Sequence, residues 1–126
     1  MKLHADSPNA LTITAIGDGW VAVNGQRHFS SLVLGADGSV RPWEVSRLEE
    51  LTEHHFAGLA AEGDATPELV LLGSGRKLRF VSPALLRPLI ERRIGVETMD
   101  TAAACRTFNI LAGEGRRVTA ALLLDA

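Results

Sequence analysis

Apolar and polar residues alternate with a period of two over residues 11–16, a pattern that predicts a β-strand. Turns at 17–19, 24–25 and 35–38 then separate this strand from three further predicted strands, at residues 20–23, 27–34 and 40–43. Asn24-Gly25 separates the second strand from the third, and this dipeptide is typical of a two-residue hairpin turn. We expect the fourth strand at the edge of a sheet, because Pro42 has no N–H to donate to a central ladder.

After residue 45 the apolar residues recur at helical spacing instead. A first helix is predicted to begin at Ser46, whose hydroxyl would accept a hydrogen bond from a backbone N–H while Glu49 reaches back to the cap. Its inner face would be formed by Leu48, Leu51, His55 and Leu59, with Phe56 beside them. A short apolar run at 68–72, bounded by Pro67 and Gly73, predicts a strand that is buried on both faces.

Two further helices are indicated by their terminal residues. Ser82-Pro83 is typical of a helix start, and Gly95 would be the residue that ends this helix. Pro88 predicts a kink or a late start. The inner face of this second helix would be Leu85, Leu86, Leu89 and Ile90. Asp100-Thr101 predicts the cap of a third helix, from residue 102 to about 112, which ends at Gly113.

Strands at 96–99 and 118–124 complete an alternating order of strand and helix in the second half. Crossovers through helices produce parallel strands, so we expect one α/β domain over residues 1–126. The predicted architecture is a mixed, largely parallel sheet flanked by three helices, with an N-terminal antiparallel β meander. Residues 10–45 would form the β-rich extension, and residues 46–124 the alternating part.

Composition excludes several classes of protein. The 126 residues include one cysteine, which argues against a disulfide framework and most zinc sites. No apolar run approaches a membrane span, and residues 1–6 lack the apolar stretch of a secretory signal, so we expect a cytoplasmic protein without a transmembrane segment. The net charge of −2 argues against nucleic acid as a partner. Residues 76–93 nevertheless concentrate positive charge, which would attract an anion or an acidic protein surface, although solvated arginines are the simpler interpretation.

The loop Gly73-Ser74-Gly75 follows the predicted buried strand and is a candidate ligand site. Glycines let backbone amides approach an anion, and Arg76 would add positive charge. Asp100 and Thr101 follow the next strand and should emerge at the same edge of the sheet. A candidate ligand-binding set is therefore Gly73, Ser74, Gly75, Arg76, Asp100 and Thr101. The competing interpretations are a tight turn for 73–75 and a helix cap for Asp100.

Other chemistry is less favoured. The loop lacks the spacing of a dinucleotide fingerprint, a P-loop or a nucleophile elbow, so we assign no catalytic residue and no cofactor. His54 and His55 are adjacent rather than one helical turn apart, so no metal site is predicted. Cys105 at the start of the third helix is either a buried apolar residue or a thiol with lowered pKa, and its helical phase favours burial.

An ordered set of short motifs resembles a known family. The motifs are 72–75, 82–83, 94–97, 99–101, 103–105, 107–111, 114–116 and 118–122. Together they resemble the small α/β domain-of-unknown-function family that includes mitochondrial complex I assembly factor 3 and uncharacterised bacterial relatives. The resemblance implies a single mixed α/β domain without an established catalytic set.

We therefore expect a non-enzymatic protein-interaction or complex-assembly module. The candidate partner-binding residues are Arg76, Arg79, Arg92, Arg93, Arg106 and Ile110. Their partner would be another protein, and the sequence leaves a homo-oligomer open. The alternative function is a small-ligand or anion-binding protein, perhaps an enzyme, with its site at loops 73–76 and 99–101. A third hypothesis is thiol chemistry at Cys105.

Overall fold

A computed structural model describes residues 10–60 and 66–124 and places eight strands in two sheets. The strands are β1 (Ile13–Gly17), β2 (Trp20–Val23), β3 (Gln26–His28), β4 (Leu32–Leu34), β5 (Val40–Pro42), β6 (Leu69–Gly73), β7 (Gly95–Met99) and β8 (Val118–Leu122). The helices are α1 (Glu53–Ala57), α2 (Arg87–Ile90) and α3 (Thr101–Gly113), with single 3₁₀ turns at Leu48–Glu50 and Pro83–Leu86. Within the described ranges, no helix is both long and apolar enough to traverse a lipid bilayer.

The N-terminal sheet is an antiparallel meander in the order β1-β2-β3. The predicted turn at Asn24-Gly25 is confirmed, since Val23 pairs with Gln26 across it. The side chain of Asn109 in α3 holds the outer strand of this sheet. Its Oδ1 accepts from the N–H of Ile13 at 2.9 Å, and its Nδ2 donates to the carbonyl of Ile13 at 2.8 Å. The amide of Asn109 therefore acts on β1 as a neighbouring strand would.

The second sheet has the order β5-β4-β8-β6-β7. β6 lies between β7 and β8 and is parallel to both, whereas β4 is antiparallel to β8 and β5. The mixed sheet, the three helices and the separate meander confirm the predicted fold class. The predicted edge strand with Pro42 is also confirmed, because β5 pairs only with β4 within the described residues.

Each face of the five-stranded sheet carries its own core. One face packs against α3 and the meander, through residues such as Leu71, Phe108 and Val21. The other face packs against α1, α2 and the chain around Trp43. Burial on both faces explains why β6 is a continuous apolar run and why only Thr119 interrupts the apolar residues of β8.

The predicted third strand, 27–34, is wrong as a single element. The structure divides it into β3 and β4, which belong to different sheets. Phe29 and Ser30 are exposed between them, where the chain passes from one sheet to the other. Residues 29–31 contain no glycine or proline to mark the change of sheet, so the sequence alone does not locate it.

The predicted first helix is shorter than expected and begins differently. Ser46 is not its cap: the carboxylate of Glu50 accepts from the N–H groups of Ser46 and Arg47, at 3.3 Å each. A 3₁₀ turn follows, and α1 begins only at Glu53. The predicted burial of Leu51 and Leu59 is nevertheless confirmed.

The second helix is reduced to a 3₁₀ turn and four α-helical residues, as expected for a late start caused by Pro88. Two details were wrong. Leu89 is buried as predicted, but Ile90 is exposed, and Ile94 after the helix is buried. The left-handed residue that ends the helix is Arg93, with φ of 59°, and Gly95 is already the first residue of β7.

Candidate functional site

The loop after β6 is joined to the start of α3 by a network of hydrogen bonds, the β6–α3 junction (residues 73–75 and 100–101). The buried hydroxyl of Thr101 accepts from the N–H of Gly75 at 2.9 Å and donates to the carbonyl of Leu123 at 2.8 Å. The N–H of Thr101 donates to the carbonyl of Gly75 at 2.8 Å. One threonine thereby links the β6 loop, α3 and the chain that leaves β8.

Hydrogen bonds to other parts of the protein also hold Ser74 in place. Its N–H donates to the carbonyl of Met99 at 2.8 Å. Its hydroxyl donates to the carbonyl of Lys77 at 2.6 Å and accepts from the N–H of Arg79 at 3.1 Å. The residue is only 1% exposed. Since the N–H groups of Ser74 and Gly75 both donate inside the protein, the turn has the properties of a structural joint rather than of an open anion cradle.

The two glycines of this turn meet different requirements. A Cβ on Gly73 would lie 2.9 Å from Oγ1 of Thr101 and 3.1 Å from a methyl group of Leu122, so only glycine lets β6 and α3 approach this closely. Gly75 has a φ of 106°, which side-chain-bearing residues rarely adopt.

Asp100 caps α3, as the sequence predicts. Its Oδ1 accepts from the N–H of Ala103 at 2.9 Å, which satisfies one of the free donors in the first turn. The cap fixes where α3 begins and therefore where Thr101 meets Gly75.

A small depression of about 100 Å³ lies outside the junction. Four of the predicted ligand-binding residues line it: Gly75, Arg76, Asp100 and Thr101. Gly73 and Ser74 do not. The turn between β1 and β2 forms the opposite wall, and from it Asp18 makes an ion pair with Arg76. The cationic group that was expected to attract an anion therefore already has an acidic neighbour.

A larger cleft of about 620 Å³ was missed by the sequence analysis. It lies between the β4–β5 turn, the end of α3 and the chain entering β8. Asp37 lines it, and the side-chain hydroxyl of Ser39 lowers the pKa of that carboxyl group. Arg117, also on its wall, donates to the carbonyl of Thr66 at 3.1 Å. The sequence signal for this cleft is a pair of glycine-rich turns, at 35–38 and 113–115. The fold brings these two turns together as walls of the cleft.

The predicted partner-binding arginines do not form one patch. Arg76 and Arg79 follow the end of β6, whereas Arg92 and Arg93 precede β7 at the opposite end of the sheet, because α2 carries the chain back. Arg79 pairs with Glu49 at 2.9 Å. The guanidinium of Arg92 donates to the carbonyl of Ala60 at 2.6 Å, so this arginine serves to hold α1 and α2 together.

Two exposed apolar side chains, Leu78 and Phe80, lie beside Arg76 and Arg79 in the sequence, and the sequence analysis did not select them. Leu78 is 52% exposed and Phe80 is 70% exposed. They alternate with Lys77 and Arg79 in the segment 76–80, which forms no helix or strand. The sequence signal for these two side chains is the alternation of basic and large apolar residues directly after a tight turn. A segment that joins no sheet does not bury its apolar side chains in a core.

The outer face of α3 carries the other two predicted residues. Arg106 and Ile110 are both exposed, and Ile110 is 61% exposed. Cys105 lies on the inner side, where it is fully buried. Burial raises the pKa of its thiol to about 12, against a smaller opposing effect of the nearby Arg106 charge. Thiol chemistry at Cys105 is therefore disfavoured at neutral pH.

Among residues 10–60 and 66–124, no group of three or more histidine, cysteine, aspartate or glutamate side chains is placed to hold a metal ion.

Comparison with known proteins identifies relatives over almost the whole chain. Residues 13–123 match the family model described as "Protein of unknown function (DUF498/DUF598)". The chain is 36% identical over 121 residues to the bovine (Bos taurus) protein "NADH dehydrogenase [ubiquinone] 1 alpha subcomplex assembly factor 3". The match covers 96% of this chain and 65% of the bovine protein. It is 33% identical over 114 residues to an uncharacterized protein of Rhodobacter capsulatus, covering 90% of this chain and 85% of that protein.

Solved structures agree with the fold. A crystal structure of a Bordetella parapertussis protein has a TM-score of 0.84 and 41% identity, covering 92% of this chain and 97% of the other. The NMR structure of a Bordetella pertussis protein, described as a Mth938-like domain, has a TM-score of 0.79 and 39% identity over 100% of this chain and 94% of the other. The chain spans 65% of the length of its bovine relative, just under two thirds. On the family model, the identities and the shared fold together, the chain belongs to the DUF498/DUF598 family of proteins of unknown function.

Proposed function

We propose that this protein is a non-enzymatic module that binds another protein during the assembly of a larger complex, and that segment 76–80 contacts that partner. The observation that carries the proposal is the exposure of Leu78 and Phe80, at 52% and 70%, on a segment whose other side chains are basic. Large apolar side chains in such a setting favour a protein contact when they lie together and are surrounded by charge.

The junction supports this role by fixing the segment in place. The hydroxyl of Ser74 binds both Lys77 and Arg79 through their backbone groups. The ion pair between Arg79 and Glu49 adds a second tether. Less conformational freedom is then lost when a partner binds, and preorganisation of this kind raises affinity.

Charge indicates what the partner surface is like. Arg76, Lys77 and Arg79 surround the two apolar side chains, and Lys77 makes no ion pair with a described residue. A complementary partner surface would have an apolar centre with carboxylates at its rim. Relatives named as assembly factors of NADH dehydrogenase make subunits of such a respiratory complex the first partners to test.

The test compares captured proteins between variants. Purified protein would be immobilised, incubated with lysate of the native organism, crosslinked, and the captured proteins identified by mass spectrometry. We expect the Leu78→Ser/Phe80→Ser double variant to lose a protein that the unaltered chain captures. Phe29→Ser is the matched control, because Phe29 is 68% exposed but lies on the link between the two sheets.

Capture of the same proteins by the unaltered chain and the double variant would contradict the proposal. Loss of the same protein from Phe29→Ser as well would show that the capture is non-specific apolar binding. Thermal melts of all three proteins would check that each remains folded.

The ligand-binding alternative stays a prediction, with its site at the depression beside Arg76 and Asp100. Titration with inorganic phosphate, followed by NMR, tests it directly. Saturable shifts confined to the amides around Gly75 and Thr101 would favour the alternative, and no shifts at millimolar phosphate would remove an anion site from consideration.

A further inference from the structure

The five-stranded sheet has two edges, and they differ in whether another strand can be added. At β5, the N–H of Trp43 donates to Ser31 at 2.9 Å, and the carbonyl of Ser39 accepts from Gly35 at 2.8 Å. Backbone groups alternate in direction along a strand, so Val40 and Pro42 point away from β4. Proline has no N–H to offer, so this edge is blunted in the way that natural sheets avoid unwanted pairing.

The other edge, β7, has no such block. Gly95 donates its N–H to Glu68 at 3.1 Å, and the carbonyl of Met99 accepts from Ser74 at 2.8 Å. Alternation then directs the backbone of 95, 97 and 99 toward β6, and the N–H and C=O groups of Val96 and Thr98 outward. In the part of the chain that the structure describes, β7 pairs only with β6.

Side chains along β7 define what could pair with it. Val96 contacts the core that contains α1 and α2, and Thr98 lies on the same face, opposite Leu72. Glu97 lies on the α3 face, opposite Leu71, and is exposed. Its carboxylate makes no ion pair with any described residue.

Glu97 disfavours pairing of β7 with a second copy of itself. In an antiparallel pair centred on Glu97, the two glutamates would be directly opposite each other with Cβ atoms about 4.5–5.5 Å apart, and like charges at that separation are destabilising. A basic side chain at the same position would be attracted instead. The exposed Arg93 just before β7 likewise favours an acidic residue near one end of the added segment.

We propose that the β7 edge accepts an extended segment of another protein as a sixth strand of the sheet. The outward backbone groups of Val96 and Thr98 would supply the hydrogen bonds, and Glu97 would select a lysine or arginine flanked by β-branched residues. The inference rests on the proposed function only in that the occupant is a protein. It uses a different surface from segment 76–80.

Amide hydrogen exchange, read residue by residue by NMR, tests the proposal. In the free protein, the amides of Val96 and Thr98 should exchange quickly, and those of Glu97 and Met99 slowly. The probe is the capped peptide Thr-Val-Lys-Val-Thr, with Thr-Val-Glu-Val-Thr as the matched control. At a concentration about ten times its Kd, the lysine peptide should slow exchange at Val96 and Thr98 by about tenfold.

Two variants make the test specific. Thr98→Pro removes an outward N–H without removing a β6–β7 hydrogen bond, and it should abolish binding of the lysine peptide. Val40→Pro makes the same change at the blunted edge and should leave binding unchanged. Should Thr98→Pro fail to fold, Glu97→Lys serves instead, and it should reverse the preference from the lysine peptide to the glutamate peptide.

Slow exchange of Val96 and Thr98 in the free protein would overturn the proposal, because the edge would already be covered. No slowing by millimolar lysine peptide, or equal slowing by both peptides, would also overturn it. None of these outcomes involves Leu78 or Phe80. The proposal for the β7 edge and the proposal for segment 76–80 can therefore be disproved independently.

Discussion

Residues 73–75 and the five residues after them are neighbours in sequence but opposite in character. The turn is buried, and the N–H groups of Ser74 and Gly75 both donate within the protein. Segment 76–80 is exposed throughout, and two of its side chains are large and apolar. A glycine-rich turn after a buried strand can therefore hold α3 against β6, while the exposed apolar side chains of Leu78 and Phe80 come after it.

The largest expected effect comes from removing the hydroxyl that closes the junction. Thr101→Val leaves the N–H of Gly75 and the carbonyl of Leu123 without their partner. Each buried unpaired group should lower the free energy of unfolding by about 1–3 kcal/mol. Chemical denaturation measures the loss, and Thr101→Ser, which keeps the hydroxyl, should lose much less. Equal losses in both variants would mean that the hydroxyl contributes little.

Adding a methyl group between β6 and α3 should cause the next largest loss of stability. Gly73→Ala places a methyl group 2.9 Å from Oγ1 of Thr101, and such overpacking costs about 1–3 kcal/mol. Gly113→Ala is the matched control, since a Cβ there meets nothing within 4 Å. The control should be neutral or slightly stabilising. A Gly73→Ala melt as high as that of the control would show that the junction is loosely packed.

Stability at high pH tests whether the interior beneath the junction is closed. The thiol of Cys105 has an ordinary pKa of 9.0, and burial raises it to about 12 in the folded chain. Between these values the unfolded state has lost its proton and the folded state has not. Stability should therefore fall as pH rises above 9.0, by about 1.4 kcal/mol per pH unit from this group.

Cys105→Ala should lack this part of the pH dependence, and urea denaturation at a series of pH values would show the difference. Parallel profiles for the two proteins would mean that the thiol is not buried as the structure places it.

The cap at Asp100 should have a smaller effect. Asp100→Ala removes the acceptor for the N–H of Ala103 and should cost about 0.5–2 kcal/mol. Asp100→Asn and Asp100→Ser should recover most of that loss, as judged by thermal melts, because both keep an oxygen that accepts the hydrogen bond. An unchanged melt for Asp100→Ala would place the start of α3 elsewhere.

The parts of this molecule that could be predicted from sequence are those with local causes. Asp100-Thr101 precedes a run of alanines, and Asn24-Gly25 is a typical two-residue hairpin turn between two predicted strands, so the cap and the hairpin were both identified. The break between β3 and β4 has no such local signal, because residues 29–31 contain no glycine or proline. The Ser46 cap was wrong because Glu50, one residue beyond Glu49, accepts from the N–H groups of Ser46 and Arg47.

The candidate site was predicted in part. Gly75, Arg76, Asp100 and Thr101 were expected at one edge of the sheet, and the structure places them around one depression. That Asp18 pairs with Arg76 could not be foreseen, because the contact joins two sheets through residues far apart in sequence. The exposure of Phe80 was missed because an apolar residue near a strand is by default assigned to the core.

The most direct test of the account is site-specific photocrosslinking at the two exposed phenylalanines. A benzophenone-bearing phenylalanine would replace Phe80 in one protein and Phe29 in another, and each would be irradiated in native lysate. If segment 76–80 binds a partner, position 80 should give a discrete adduct with another protein and position 29 should give none. Identical adducts from both positions, or no adduct from position 80, would contradict the claim that segment 76–80 binds a partner.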